Sequence, residues 1–465
     1  MEDRIVKNKG KIFSIITSVI LATSLVGCGA QGKAVPDDTF IGMKSNDKNK
    51  EAKDIYIKYE GQDFKKIVEG AQMSSNMGNM QYFPESKALL YQDASKNVFM
   101  FEKGKEKVEV AKEPSETIVN NKKHVIYLDK DKNLHFKEYG KSDVKLASAV
   151  KMARISQESN NILYTNDKGE LFLCKGNSKP TKIGTGIQMF SFTESENSIL
   201  VTKDDENIYS KELKENGKEQ KIGGANECVF ITMDKEDNIK FFKNVTQGEG
   251  KYLGDFYYMP KGKEATKIAT KINCSPYEFQ VVEGTLYYIS EDNKLFSCEL
   301  AKNQPKEIGK DIVNFSVDDK KNVAYLNSKD KLTVIKDGKP GKEIDAKDKI
   351  YTIYNGSVYL LGQDQKLMVD DTLISEHVEE IQISEGNLAY YTTDNKLFLL
   401  KAGEKKSTKI LDDISQYDVM YYAGNPLYEK KQVPNLVQPN PNTEKQTDNS
   451  TKKEDTTKKE DTTKK

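Results

Sequence analysis

The sequence predicts an all-β chain, a β-propeller of repeated four-stranded blades, with about eight to ten units of about 37 residues. Three observations carry this. A hairpin pattern recurs between about residues 90 and 400, a second refrain follows it in most units, and a short alternating run precedes the next hairpin.

The hairpin pattern reads aliphatic, Tyr, a polar turn with Asp or Asn, then Leu and another apolar residue. Ile162-Leu163-Tyr164, Thr165-Asn166-Asp167-Lys168-Gly169-Glu170 and Leu171-Phe172-Leu173 form a clear copy. A Tyr stands seven residues before an aliphatic residue at Tyr91/Val98, Tyr127/Leu134, Tyr164/Leu171, Tyr288/Leu295, Tyr325/Leu332 and Tyr390/Leu397. Val201/Ile208 keeps the spacing without the Tyr, and irregular copies lie near residues 238–259 and 359–369. A Tyr fixed at one repeat position is read as packing between blades, with its hydroxyl at the sheet margin.

The second refrain is seen in Lys179-Pro180-Thr181-Lys182-Ile183-Gly184 and again in Gln304-Pro305-Lys306-Glu307-Ile308-Gly309. Alternating runs such as 187–192, 313–317 and 381–383 come next. Each unit therefore holds four short runs of strand composition divided by turn residues. One such sheet cannot cover both its faces, and stacking blades around an axis does.

The literal count is nine hairpin units plus a split one. Segments 55–59 and 64–68 read as the second half of a blade, and 417–422 with 426–428 as the first half. Strands from both ends then close the ring and remove its exposed edges. One large ring and two smaller rings in tandem both fit this count. Residues 244–252 lengthen one hairpin and are the best candidate for an insertion.

At the amino end, Arg4, Lys7, Lys9 and Lys11 precede an apolar run over 12–26. A basic stretch followed by a short apolar one is the pattern of a secretory signal, and about 20 apolar residues are needed to span a membrane. Leu25-Val26-Gly27-Cys28 resembles a bacterial lipobox. That resemblance implies cleavage before Cys28, a diacylglyceryl thioether on its sulfur, and anchoring at the outer face of the cytoplasmic membrane. The expected division is a signal peptide over 1–27, a lipidated Cys28 with a flexible tether over 28–53, the propeller over 54–431, and a disordered tail over 432–465. The tail repeats Thr-Lys-Lys-Glu-Asp-Thr with almost no apolar residue, which leaves nothing to offset the entropy of ordering.

Basic and acidic residues balance at 72 each, and no basic stripe interleaved with aromatics stands out, so nucleic acid has no electrostatic footprint. The richness in Lys, Asn and Ile resembles that of AT-rich Gram-positive, clostridial-like genomes. Beyond Cys28, the thiols are Cys174, Cys228, Cys274 and Cys298. No Cys-x-x-Cys pair supports zinc or redox chemistry. They read as buried small hydrophobes, and the equivalent positions of Cys228 and Cys274 in adjacent blades leave a bridge open.

Asp129-Lys130-Asp131-Lys132-Asn133 looks like the start of a calcium loop, as does the turn from Asp234 to Asn238. Both lack the Gly and closing Glu of a complete loop, and turn residues are the plainer reading. His124, His135 and His377 are scattered, and no nucleophile elbow, metalloprotease helix or phosphate loop occurs. No catalytic residue, metal or cofactor is assigned.

Over 54–431 the repeat pattern resembles the TolB-like and WD40-like propellers of bacterial surface lipoproteins. The Trp-Asp dipeptide of WD repeats is absent, since the chain has no Trp. The resemblance implies binding or scaffolding of a protein or glycan partner at the cell envelope. An envelope hydrolase or lyase working at the channel mouth is the alternative.

Overall fold

The computed structural model describes residues 38–422, except 49–51, 73–79, 84–85, 121, 249–250, 275–277, 348, 385–386 and 416. The signal, the lipobox with Cys28, and the tail lie outside the described residues. Within them every regular element is a strand, and the strands form ten antiparallel sheets.

Nine sheets use strands consecutive in the chain, and these are the first to ninth blades. Their strands are called A to D in chain order. A strands of neighbouring blades meet, as Ile312–Val317 meets both Phe279–Val282 and Lys349–Tyr354, so the A strands are innermost. Only the seventh blade departs from four strands. Its outer position is split between Lys339–Pro340 and Ile344–Asp345, both paired with Lys331–Lys336. Pro340 carries no N–H, and an edge is where a sheet tolerates that.

The tenth blade is built from both chain ends. Asp418–Tyr422 is its A strand, Thr39–Ser45 its B strand, Ala52–Tyr59 its C strand and Lys65–Gln72 its D strand. Closure from both ends agrees with the sequence, but the division is one strand against three. Thr39–Ser45 also corrects the tether over 28–53, because this central strand lies inside that stretch. Only Phe40, Ile41 and Met43 are bulky and apolar there, too few for local composition to mark a strand.

One ring is formed, not two. Ten apolar clusters fill the interfaces between successive blades, and the last closes the circle. Ile126 and Leu134 of the second blade meet Ala153 and Ile162 of the third, and Leu163 and Leu171 of the third meet Phe190 and Ile199 of the fourth. Ala389 and Leu397 of the ninth meet Phe40 and Val419 of the tenth. Ile41, Ile57 and Tyr59 of the tenth meet Tyr82, Leu89 and Tyr91 of the first. Consecutive residues of one B strand thus serve opposite interfaces, as Ile162 and Leu163 do. Side chains alternate across a strand, so burial on both faces produces an unbroken apolar run.

The repeated tyrosines pack as expected. Tyr91, Tyr164, Tyr288 and Tyr390 are buried, and each stacks on the Phe opposite it in strand C, at 5.1 to 5.8 Å between centroids. Burial pushes the phenols of Tyr91, Tyr164 and Tyr288 up to about 12.

Residues 244–252 do lengthen a hairpin, within the strands Ile239–Gly248 and Lys251–Met259 of the fifth blade. The bridge left open between Cys228 and Cys274 is not formed. Both thiols are buried and free, and they belong to different interfaces.

Turn chemistry explains the polar part of the repeat. Oδ1 of Asp93, Asp129, Asn166 and Asn327 accepts the backbone N–H groups two and four residues on. Asp234 does the same with Glu236 and Asn238. The two calcium-like turns therefore spend these oxygens on their own backbone.

Candidate functional site

The A strands all run in one direction, so the disc has two distinct faces. We call the face with the A–B and C–D turns the near face, and the face with the B–C turns and D–A connections the far face. The chain enters every A strand from the far face.

On the far face, successive blades are joined by backbone. The carbonyls of Lys132, Gly169, Glu206, Asn293, Asp330, Gln365 and Asn395 accept the N–H groups of Val150, Ile187, Ala225, Ile312, Ala346, Val378 and Ile414. These bonds measure 2.8 to 3.0 Å. Each accepting residue has φ between 56° and 68°, and this left-handed step turns its carbonyl towards the next blade. At Gly169 a Cβ would stand 3.3 Å from the Ile187 nitrogen, so glycine suits this crossing.

On the near face, blades are joined by side chains. Asn120 Nδ2 donates to the Ser159 carbonyl at 2.8 Å, and Glu196 Oε1 accepts from Glu158 N–H at 2.7 Å. Ser195 Oγ donates to Asp237 at 2.5 Å, and Asp318 Oδ2 accepts from Gly356 N–H at 2.6 Å. Successive blades are thus joined through backbone on the far face and through side chains on the near face.

The channel wall shows the same asymmetry. A bulge interrupts the start of five A strands, at Val150/Met152, Ile187/Met189, Val229/Thr232, Ile312/Asn314 and Val378/Glu380. A bulge breaks the alternation of side chains and re-aims them. Lys151, Gln188, Met189, Val313, Asn314 and Glu379 are consequently exposed at the far-face end of the channel. Glu380 is half-buried beside them. Burial, with Glu379 and Asp418 nearby, pushes its carboxyl above the usual range.

Two long hairpins project on the far face, from the fifth and tenth blades. Each is braced by one carboxylate. Asp255 receives Asn244 Nδ2 at 3.0 Å and Lys271 N–H at 3.2 Å, and Asp54 receives Asn46 Nδ2 at 2.6 Å and Gly70 N–H at 3.0 Å. Burial works against the charge on both carboxylates, and these hydrogen bonds outweigh it, so both titrate below the ordinary range. Tyr252 stands exposed near the tip of the fifth-blade hairpin.

No family model matches the chain, and no curated protein matches it. Among solved structures it is similar to the tricorn protease, at 12% identity and a TM-score of 0.31, over 85% of this chain and 44% of that one. It is also similar to PorZ, an essential bacterial surface component of the type-IX secretion system of Porphyromonas gingivalis. There the identity is 10% and the TM-score 0.25, over 77% of this chain and 64% of that one. The chain spans less than two thirds of the length of either protein. Likeness at this level carries no argument about activity.

The histidines singled out in the sequence are not brought together. His124 lies on the near face of the second blade, where Nδ1 meets Asn160 Oδ1 at 2.5 Å. His377 is in the connection between the eighth and ninth blades. His135 replaces the Phe of the repeat and stacks on Tyr127 at 4.7 Å between centroids. Its Nδ1 lies 2.7 Å from Asp143 and its Nε2 3.2 Å from Asp129. Among the described residues no group of three or more His, Cys, Asp or Glu side chains is placed to hold a metal ion.

Asp129 gives a pH prediction. Burial raises its pKa, but bonds from Asn133, His135 and Asp131 N–H prevail and hold the carboxyl at about 2, against 3.8 unperturbed. A depressed native pKa contributes stability above the unfolded value and loses it as pH falls through the folded one. Between pH 3.8 and about 2, the protein should therefore lose stability more steeply than Asp129→Asn. Urea titrations at several pH values would show parallel profiles if the carboxylate contributes nothing.

Sequence reasoning missed the channel residues Met189 and Val313. Their strands were legible as alternating runs. The bulges were not, because a bulge is a register event between two strands and leaves no mark on either one alone.

Proposed function

We propose that this chain is a lipid-anchored binding or scaffolding module of the cell envelope, engaging a protein or glycan partner through the far face and channel mouth. One observation carries the choice of surface. Four large hydrophobic side chains are exposed among the described residues, Met189, Tyr252, Val313 and Leu373, and the first three lie on this face or at its channel mouth. Exposed apolar groups rimmed by polar residues are candidate interaction sites, and three of the four share this face. Residues from several blades contribute, as suits a broad recognition surface. The anchoring part of the reading rests on the likeness of Leu25-Val26-Gly27-Cys28 to a lipobox.

The test is cross-linking and co-purification of the intact protein from its native membrane, with partners identified by mass spectrometry. The comparison is the triple variant Met189→Asp, Val313→Asp, Tyr252→Asp. These side chains are exposed, so the variant should unfold at the wild-type midpoint. A stoichiometric partner recovered at least tenfold less with the variant supports the reading. Equal recovery would move the site off this face.

A further inference from the structure

We propose that the disc lies with its near face against the membrane and its far face outward. This rests on lipid attachment at Cys28 and adds an orientation to it. Strand Thr39–Ser45 pairs with Asp418–Tyr422 so that Thr39 sits opposite Tyr422. The amino-terminal segment therefore reaches the disc on the near face, beside the innermost strand of the tenth blade.

The covalent reach is short. Residues 29–38 alone separate Cys28 from Thr39, and eleven extended steps span at most about 40 Å. Strand Thr39–Ser45 removes the longer tether that composition suggested. An anchor this short brings the face it joins close to the lipid, whereas a 25-residue tether would allow every orientation.

Exposed lysines lie at the near-face rim at the C–D turns, among them Lys103, Lys107, Lys263, Lys405 and Lys406, interspersed with Glu106, Glu264 and Glu404. The far face presents Asp204, Asp205 and Glu206 in one B–C turn and Asp412 and Asp413 in one D–A connection, with Lys96, Lys130, Lys168 and Lys329 exposed in other B–C turns. Nearer the axis the near face carries the carboxylates of Glu196, Asp237 and Asp318, tied to neighbouring blades, and the exposed Glu194, Glu236 and Glu283. An anionic bilayer surface attracts the lysines of the rim within a Debye length of about 8 Å.

The test uses the full lipidated chain in vesicles containing phosphatidylglycerol and a nitroxide headgroup lipid. One fluorophore is placed by Lys320→Cys on the near face or Lys329→Cys on the far face. Both positions are exposed turns of the seventh blade, at opposite ends of strand Val323–Asn327 and roughly 20 Å apart. Cys174, Cys228, Cys274 and Cys298 are buried, so the label reports only the added thiol. The expected result is headgroup quenching at least threefold stronger at position 320 than at 329. Equal or reversed quenching on vesicle-bound protein overturns the orientation and leaves anchoring intact. Protein that stays with the supernatant on sedimentation, as Cys28→Ala should, overturns both.

Discussion

Phe40→Ala combined with Ile41→Ala should lower the unfolding free energy by roughly 5 kcal/mol or more, a sum of two ordinary core truncations. Phe40 is 2% exposed and Ile41 fully buried. They are neighbours on one strand and point to opposite sides. Phe40 packs with Ala389, Leu397 and Val419 in the ninth-to-tenth interface, and Ile41 with Ile57, Leu89 and Tyr91 in the tenth-to-first. The pair thus weakens both interfaces that close the ring. A loss of this size approaches the whole stability of many proteins, so the double variant should unfold at markedly lower urea. Circular dichroism across a urea series reads it directly. A wild-type midpoint would return these residues to the tether that composition suggested.

Phe242→Ala should cost about 3–5 kcal/mol, the upper range for a truncated core aromatic. Phe242 is 1% exposed and sits at the hub of the largest aromatic group among the described residues. Its ring lies 4.9 Å from Phe279, 5.2 Å from Phe256 and 6.2 Å from Phe230, all edge to face. Phe279 belongs to the next blade, so the hub ties the fifth blade to the sixth. Edge-to-face pairs add about 0.5–1.5 kcal/mol beyond area. Phe242→Leu keeps most of the volume and should lose about half as much. Equal midpoints for Phe242→Leu and Phe242→Ala would show that volume is not the cause.

The two variants bear on different consequences of one design. The closing blade is held only by pairing between the two chain ends, whereas the fifth blade is held within the continuous chain. Loss at the closing blade should therefore be accompanied by aggregation through the uncovered strands, and loss at Phe242 should not. Light scattering at the midpoint separates them.

The sequence by itself determined the repeat, the four strands per unit and the all-β class. Tyr164, Asn166 and Leu171 recur at fixed spacing because each fills a local role: a stacked ring, a turn that accepts its own N–H groups, a core contact. Closure from both ends was also legible, since the terminal segments were incomplete blades. The tertiary structure decided how many rings form, because ring size depends on how successive blades meet, and that angle is a property of whole interfaces. It decided that Thr39–Ser45 is a central strand, since burial between two other strands, not composition, makes it one. It placed Met189 and Val313 at the channel mouth through bulges that exist only once strands are paired. The candidate surface was illegible for the same reason: residues from blades far apart in the chain come to share one face only when the ring closes.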